Sequence, residues 1–309
     1  MSDNFIVKKW RDHEGVVVAS ANGVDVIDCK TCEFKHIIPI PTKEELERFY
    51  QHEFYTEEKP LYADTCREDL EWWDAVYTHR FKILETHLLQ HQHTVLDIGS
   101  GPGFFLLNGK KRGWDVKGIE PSIWAAEHGR SLGLDILNMF FTEQSASSLG
   151  KFDVINLGEV LEHIPNPADM LKLVHAQLNT GGLVCVIVPN DFNPLQVILR
   201  DDLGFNPWWV VPGHHLNYFN VVSLTSLLEK CGFEVLHQES TFPMEMFLLM
   251  GNNYVGNDVL GRQCHKQRMQ FELNLLKSES NSLQFDLYST FAKVGIGREI
   301  VFYARKNSH

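Results

Sequence analysis

Residues 95–105 read Val95-Leu96-Asp97-Ile98-Gly99-Ser100-Gly101-Pro102-Gly103-Phe104-Phe105. The first four form an apolar run of the kind that makes a buried strand, and an apolar helix-like run opens at Phe104. The glycine-rich turn between them completes the strand–turn–helix unit that builds the binding crevice of a doubly wound α/β sheet. Glycines suit it because the backbone must turn tightly and lie close to a ligand. Their register is informative. A dinucleotide fingerprint is G-x-G-x-x-G; here the glycines fall at 99, 101 and 103, and Phe104 takes the place of the third glycine. Asp97 stands two residues before the first.

The next segment, Asp115-Val116-Lys117-Gly118-Ile119-Glu120, reads as a second strand with an acid at its tip. Glu120 lies 23 residues after Asp97, close to the spacing at which α/β cofactor sites place a ribose-binding carboxylate. Strand and helix then alternate. Further strands are expected at 135–139, 152–157, 183–188, 233–238 and 299–305. Helices are expected over 123–132 behind Ser122, from Asn166-Pro167, and from Asn220 to Gly232. Asparagine before proline is an N-terminal signal, and glycine closes a helix. This alternation predicts an α/β fold with a doubly wound, seven-stranded, mostly parallel sheet. Upstream, Leu70, Trp73, Tyr77, Phe81, Leu84 and Leu88 recur at helical spacing.

The chain divides into an irregular N-terminal region (1–63), a helical connector (64–92), the sheet-forming core (93–239), a helical insertion (240–296) and a final strand and tail (297–309). The 309 residues carry a net charge of −12 without a basic block, which excludes a nucleic-acid partner because phosphate neutralisation needs clustered Lys and Arg. No apolar run reaches membrane-spanning length, and the opening Met1–Trp10 lacks the apolar region of a signal peptide. Six scattered cysteines suit free thiols in a cytoplasmic protein.

The pattern D-x-G-x-G-x-G at 97–103 resembles motif I of class I S-adenosylmethionine (SAM) methyltransferases. The stretch Phe152–Pro165, with Gly158-Glu159-Val160-Leu161-Glu162-His163, resembles that family's strand-four motif. The resemblance implies SAM as cofactor. Asp97, Gly99, Ser100, Gly101, Gly103 and Phe104 would line its methionine part, Glu120 its ribose, the segment after Asn138 its adenine, and Gly158 and Glu159 its sulfonium. It further implies a methyl transfer to a small-molecule acceptor. His163, beside a strand end, reads as structural. A noncatalytic SAM-binding protein and a nicotinamide-dependent dehydrogenase are the two other classes, the second opposed by the glycine register.

Two narrower resemblances concern sugar C-methyltransferases. Cys29-Lys30-Thr31-Cys32 with Pro41–Leu46 is similar to their N-terminal region, in which two cysteine pairs bind a structural zinc. Here one pair is present, and Asp12-His13-Glu14-Gly15 adds one histidine. Four ligands are the norm, so no metal is expected. Pro212-Gly213-His214-His215-Leu216-Asn217-Tyr218-Phe219 resembles their Glu-His-x-x-Tyr-Phe stretch, which makes His215 the candidate base, with His214 in the glutamate's place. A sugar or nucleotide-sugar acceptor, methylated on carbon or oxygen, would follow. The insertion, with helices expected at 258–277 and 282–294, should pack with residues 1–90 as one cap over the C-terminal sheet edge, or form a homodimer contact.

Overall fold

The computed structural model describes residues 6–21, 23–51, 68–88, 93–213, 215–277 and 281–307. Twelve strands and eleven α-helices are described. The strands are β1 (Val7–Trp10), β2 (His13–Ala21), β3 (Val24–Cys29), β4 (Lys35–Ile38), β5 (Thr94–Ile98), β6 (Asp115–Ile119), β7 (Asp135–Leu137), β8 (Phe152–Gly158), β9 (Leu178–Pro189), β10 (Asn217–Tyr218), β11 (Phe233–Ser240) and β12 (Glu299–Lys306). The helices are α1 (Lys43–Arg48), α2 (Leu70–His87), α3 (Phe104–Lys111), α4 (Ile123–Ser131), α5 (Glu143–Ala146), α6 (Pro167–Gln177), α7 (Pro194–Asp201), α8 (Val221–Lys230), α9 (Glu245–Leu249), α10 (Asp258–Lys277) and α11 (Asn281–Lys293).

The larger sheet runs β11-β12-β9-β8-β5-β6-β7. β5, β6, β7, β8 and β9 are parallel to one another, whereas β12 is antiparallel to both β9 and β11. All seven expected strands are present in this doubly wound sheet. Successive strand side chains point to opposite faces. Leu96 and Ile98 therefore join one core with Ile155 and Leu157, while Val95 and Val154 join the other with Phe81, Phe105 and Leu106. The helix signals hold as well: Ser122 accepts from the Ala125 amide, Asn166 precedes Pro167 at N1, and Asn220 forms a capping box with Ser223.

The N-terminal region departs from the expectation of irregular chain. β1 to β4 form an antiparallel meander, and β10 pairs with β4 at its edge. The strands are short and bury residues on both faces, Val26 and Ile37 on one and Ile27, Cys29 and Ile38 on the other, so charged and apolar residues mix without a long alternating run. The first of these faces is completed by Trp209, Val210, Leu216 and Tyr218 from far along the chain.

The cap expectation is corrected in its extent. α10 packs on α2: Trp72 donates to Glu272, and Arg262 makes a two-pronged ion pair with Asp69 at 2.6 Å. α11 lies against β11, where Phe285 stacks on His237 at 4.5 Å. The β-meander instead joins the 207–218 segment through β10 and Leu216. Two separate walls therefore flank the C-terminal edge of the large sheet.

Candidate active site

Asp97 is the penultimate residue of the central strand β5, level with Gly118 of β6 and Asn156 of β8. Its carboxylate is 3% exposed and accepts a 2.7 Å hydrogen bond from Asn156 Nδ2. Burial pushes its pKa up to about 7, opposed by the Asn156 hydrogen bond and reinforced by the nearby Glu120 charge. Glu120, at the tip of β6, is also buried. Its two oxygens accept from the amides of Gly101 and Ser122, both at 2.8 Å. Burial pushes its pKa up to about 7 as well, against those two hydrogen bonds. The glycine turn is left-handed at 99, 101 and 103. A Cβ on Gly99 would come within 2.8 Å of Val160.

Two adjoining hollows open at this edge. One, of about 280 Å³, is lined by Asp97, Gly99, Ser100, Gly101, Phe104, Gly158, Glu159 and His215, together with Tyr77, Arg80, Asn156 and His163. The other, of about 160 Å³, holds Glu120 against Ile119, Pro121, Phe140, Phe141, Val160 and Met170. Gly99, Glu159 and His163 border both. The first is polar and the second a largely apolar slot with two carboxylates, Glu120 and the shared Glu159. Glu159 sits at the junction with φ +58°, a sparsely populated conformation of the kind that clusters at functional sites.

Of the residues singled out from sequence, Gly103 alone lines neither hollow. It is the N-cap of α3, and a Cβ there would come within 2.6 Å of Leu134; its role is close packing. Tyr77, Arg80 and Asn156 are additions. Arg80 is 7% exposed on α2, with its guanidinium 5.7 Å from the Tyr77 ring centroid. An arginine inside an amphipathic helix pattern, on the face of Tyr77 and Phe81, was the available signal. Asn156 Oδ1 is buried with no hydrogen-bond partner among the described residues, leaving an acceptor for a guest.

The wall opposite α2 carries His163 and His215. Their rings stand edge to face with centroids 5.3 Å apart. His163 Nε2 lies 3.7 Å from Glu162 Oε1, and His215 Nδ1 lies 3.8 Å from Asp191 Oδ2. The wall is tied together by backbone: the Leu216 amide donates to the Glu162 carbonyl at 2.7 Å, and Asn217 Nδ2 donates to the Leu161 and Ile164 carbonyls. His163 thus borders the hollows rather than merely satisfying backbone. His214 lies outside the described residues.

The reason for expecting no metal does not hold. His36 lies beside the cysteine pair, and ligand-type atoms of His13, Cys29, Cys32 and His36 fall within 4.8 Å of one another. Glu162, His163 and His215 form a second such group.

Known proteins resemble this arrangement. A family model described as a methyltransferase domain matches residues 66–238, more than half of the chain. The chain belongs to this methyltransferase family. A ubiquinone biosynthesis O-methyltransferase of Caulobacter vibrioides is 31% identical over 128 residues, 40% of this chain and 51% of the relative. One from Methylococcus capsulatus is 30% identical over 131 residues, 37% of this chain and 54% of the relative. The chain spans about half the length of the curated relatives it matches. The plantazolicin methyltransferase BpumL, solved in complex with SAH, shares the fold: TM-score 0.52, 14% identity, 86% of this chain and 95% of that one. The methyltransferase match begins near α2 and ends in β11, so the β-meander and the insertion flank it.

Proposed function

We propose that this chain transfers the methyl group of SAM to a hydroxyl oxygen of a small molecule. The observation that carries the reading is the paired buried carboxylates, Asp97 and Glu120, on either side of a left-handed glycine turn within a methyltransferase domain. The residues fit the cofactor. The apolar slot beside Glu120 suits an adenosine, whose ribose hydroxyls would donate to that carboxylate. The polar hollow suits an amino acid end, with Arg80 available to its carboxylate and Asp97 to its cation. Bound SAM supplies a methyl already activated by a positive sulfonium.

The protein's own work is positioning, water exclusion and proton removal. Glu159 borders both hollows and Gly158 the polar one beside it, where the methyl would sit. His163 and His215 face that junction from the acceptor side. Either imidazole is placed to act as the general base that takes the acceptor's proton. The O-methyltransferase relatives support oxygen as the acceptor atom; the His215 stretch supports a sugar or nucleotide-sugar. Trp73 and Tyr77 on α2 offer flat apolar surface at the mouth, suited to either ring. The test is transfer of labelled methyl from SAM to two acceptor panels, phenols or catechols and nucleotide-sugars. Label on an oxygen of either panel fits the proposal, and label on carbon alone contradicts the acceptor atom.

A further inference from the structure

The β-meander holds four metal-ligating side chains that the methyl-transfer site does not use. His13 opens β2, Cys29 ends β3, Cys32 lies in the β3–β4 turn and His36 lies in β4. His13 Nδ1 is 3.3 Å from Cys32 Sγ and 3.8 Å from Cys29 Sγ. These distances bracket the about 3.6 Å that separates nitrogen and sulfur vertices of a tetrahedron with ordinary Zn–N and Zn–S bonds. The His13 and His36 ring centroids are 4.7 Å apart.

His36 is the decisive member. It is 1% exposed. Its Nδ1 donates to the Ile37 carbonyl at 2.8 Å, which fixes the proton there and leaves the Nε2 lone pair bare. That Nε2 is buried with no hydrogen-bond partner among the described residues. A ligating histidine ordinarily has its other ring nitrogen held in this way. The turn is shaped to present both thiols: the Glu33 amide returns to the Cys29 carbonyl, and the Cys29 amide donates to Phe34.

We propose that His13, Cys29, Cys32 and His36 bind one zinc ion, and that this ion braces the His215 wall. Two thiolates and two imidazoles with a closed shell are a structural zinc set. The bracing follows from register. His36 pairs directly with Asn217 across β4 and β10. The Ile37 amide donates to the Leu216 carbonyl, and Asn217 holds the 161–164 turn that carries His163. A clamp on β2, β3 and β4 therefore fixes the strand against which the acceptor wall is built.

The test begins with elemental analysis of the whole chain, expressed with zinc and dialysed. One zinc equivalent should be present in the wild type and missing from Cys32→Ser and from His36→Asn. Cobalt, substituted for zinc in the wild type, should show thiolate charge-transfer absorption. The second arm is hydrogen exchange on the wild type before and after chelation. Chelation should raise exchange at 161–164 and 215–218 and leave the 99–103 turn unchanged. Wild type without zinc, or with no more than the variants, overturns the site. Zinc lost with unchanged exchange at 215–218 overturns the bracing role.

Discussion

Asn156 donates a 2.7 Å hydrogen bond to Asp97 across the two central strands, and both side chains are buried. The bond fixes the Asp97 carboxylate at the floor of the polar hollow while leaving Asn156 Oδ1 open toward it. Substituting Asn156→Leu removes a hydrogen bond to a charged group, worth about 1.5–3 kcal/mol. SAM affinity should fall roughly tenfold or more, measured by calorimetry, with the β5–β8 pairing retained by circular dichroism.

Affinity should also depend on pH. Asp97 and Glu120 both have pKa values pushed up to about 7 by burial. Raised carboxyls take up protons on folding, so their contribution to stability is largest at low pH. It falls as pH rises from about 4 to about 7 and is flat above. Hydroxyl and cationic groups of SAM prefer the ionised forms. Binding should therefore release protons and tighten between about pH 6 and about pH 8. Calorimetry in two buffers of different ionisation enthalpy reads this, and Glu120→Gln should reduce the proton count.

Arg80→Leu should weaken SAM binding tenfold or more, while Arg80→Lys keeps part of it, since a lysine retains charge but not the fork. Equal affinity in all three proteins would remove Arg80 from the cofactor site.

His215→Ala and His163→Ala should each lower turnover about a hundredfold, the usual size of a general-base effect. SAM affinity should stay within a fewfold. Full activity of either variant on the natural acceptor would assign that histidine to structure.

The α2–α10 wall turns on Glu272, 3% exposed, which accepts from Trp72 and from Tyr288 and lies 3.6 Å from the buried Arg268. Glu272→Ala leaves the guanidinium without this carboxylate, a change that typically costs about 3–5 kcal/mol. The melting temperature should drop by several degrees, and the drop should be absent if the wall were loosely packed.

The parallel core was readable because its strands carry short apolar stretches closed by a turn or cap that has its own chemistry. Asp97 and Glu120 stand at strand tips and were visible for that reason. The β-meander was not readable. Its strands alternate imperfectly, and its core comes from Trp209, Leu216 and Tyr218, which no local window contains. His36 was hidden for the same reason: near Cys32 in sequence it looks like one more polar residue, and only the β4 register brings its ring within reach of both cysteines and His13. Arg80 was masked by the helical stripe around it.

The central claim is that the glycine turn with Asp97 and Glu120 holds SAM. The direct measurement is calorimetric titration of the wild type, Asp97→Ala and Glu120→Ala with SAM and with NAD. The account predicts saturable binding of SAM to the wild type, a loss of about tenfold to a hundredfold in each variant, and no binding of NAD. Binding of NAD to the wild type, or SAM affinity unchanged in both variants, would contradict it.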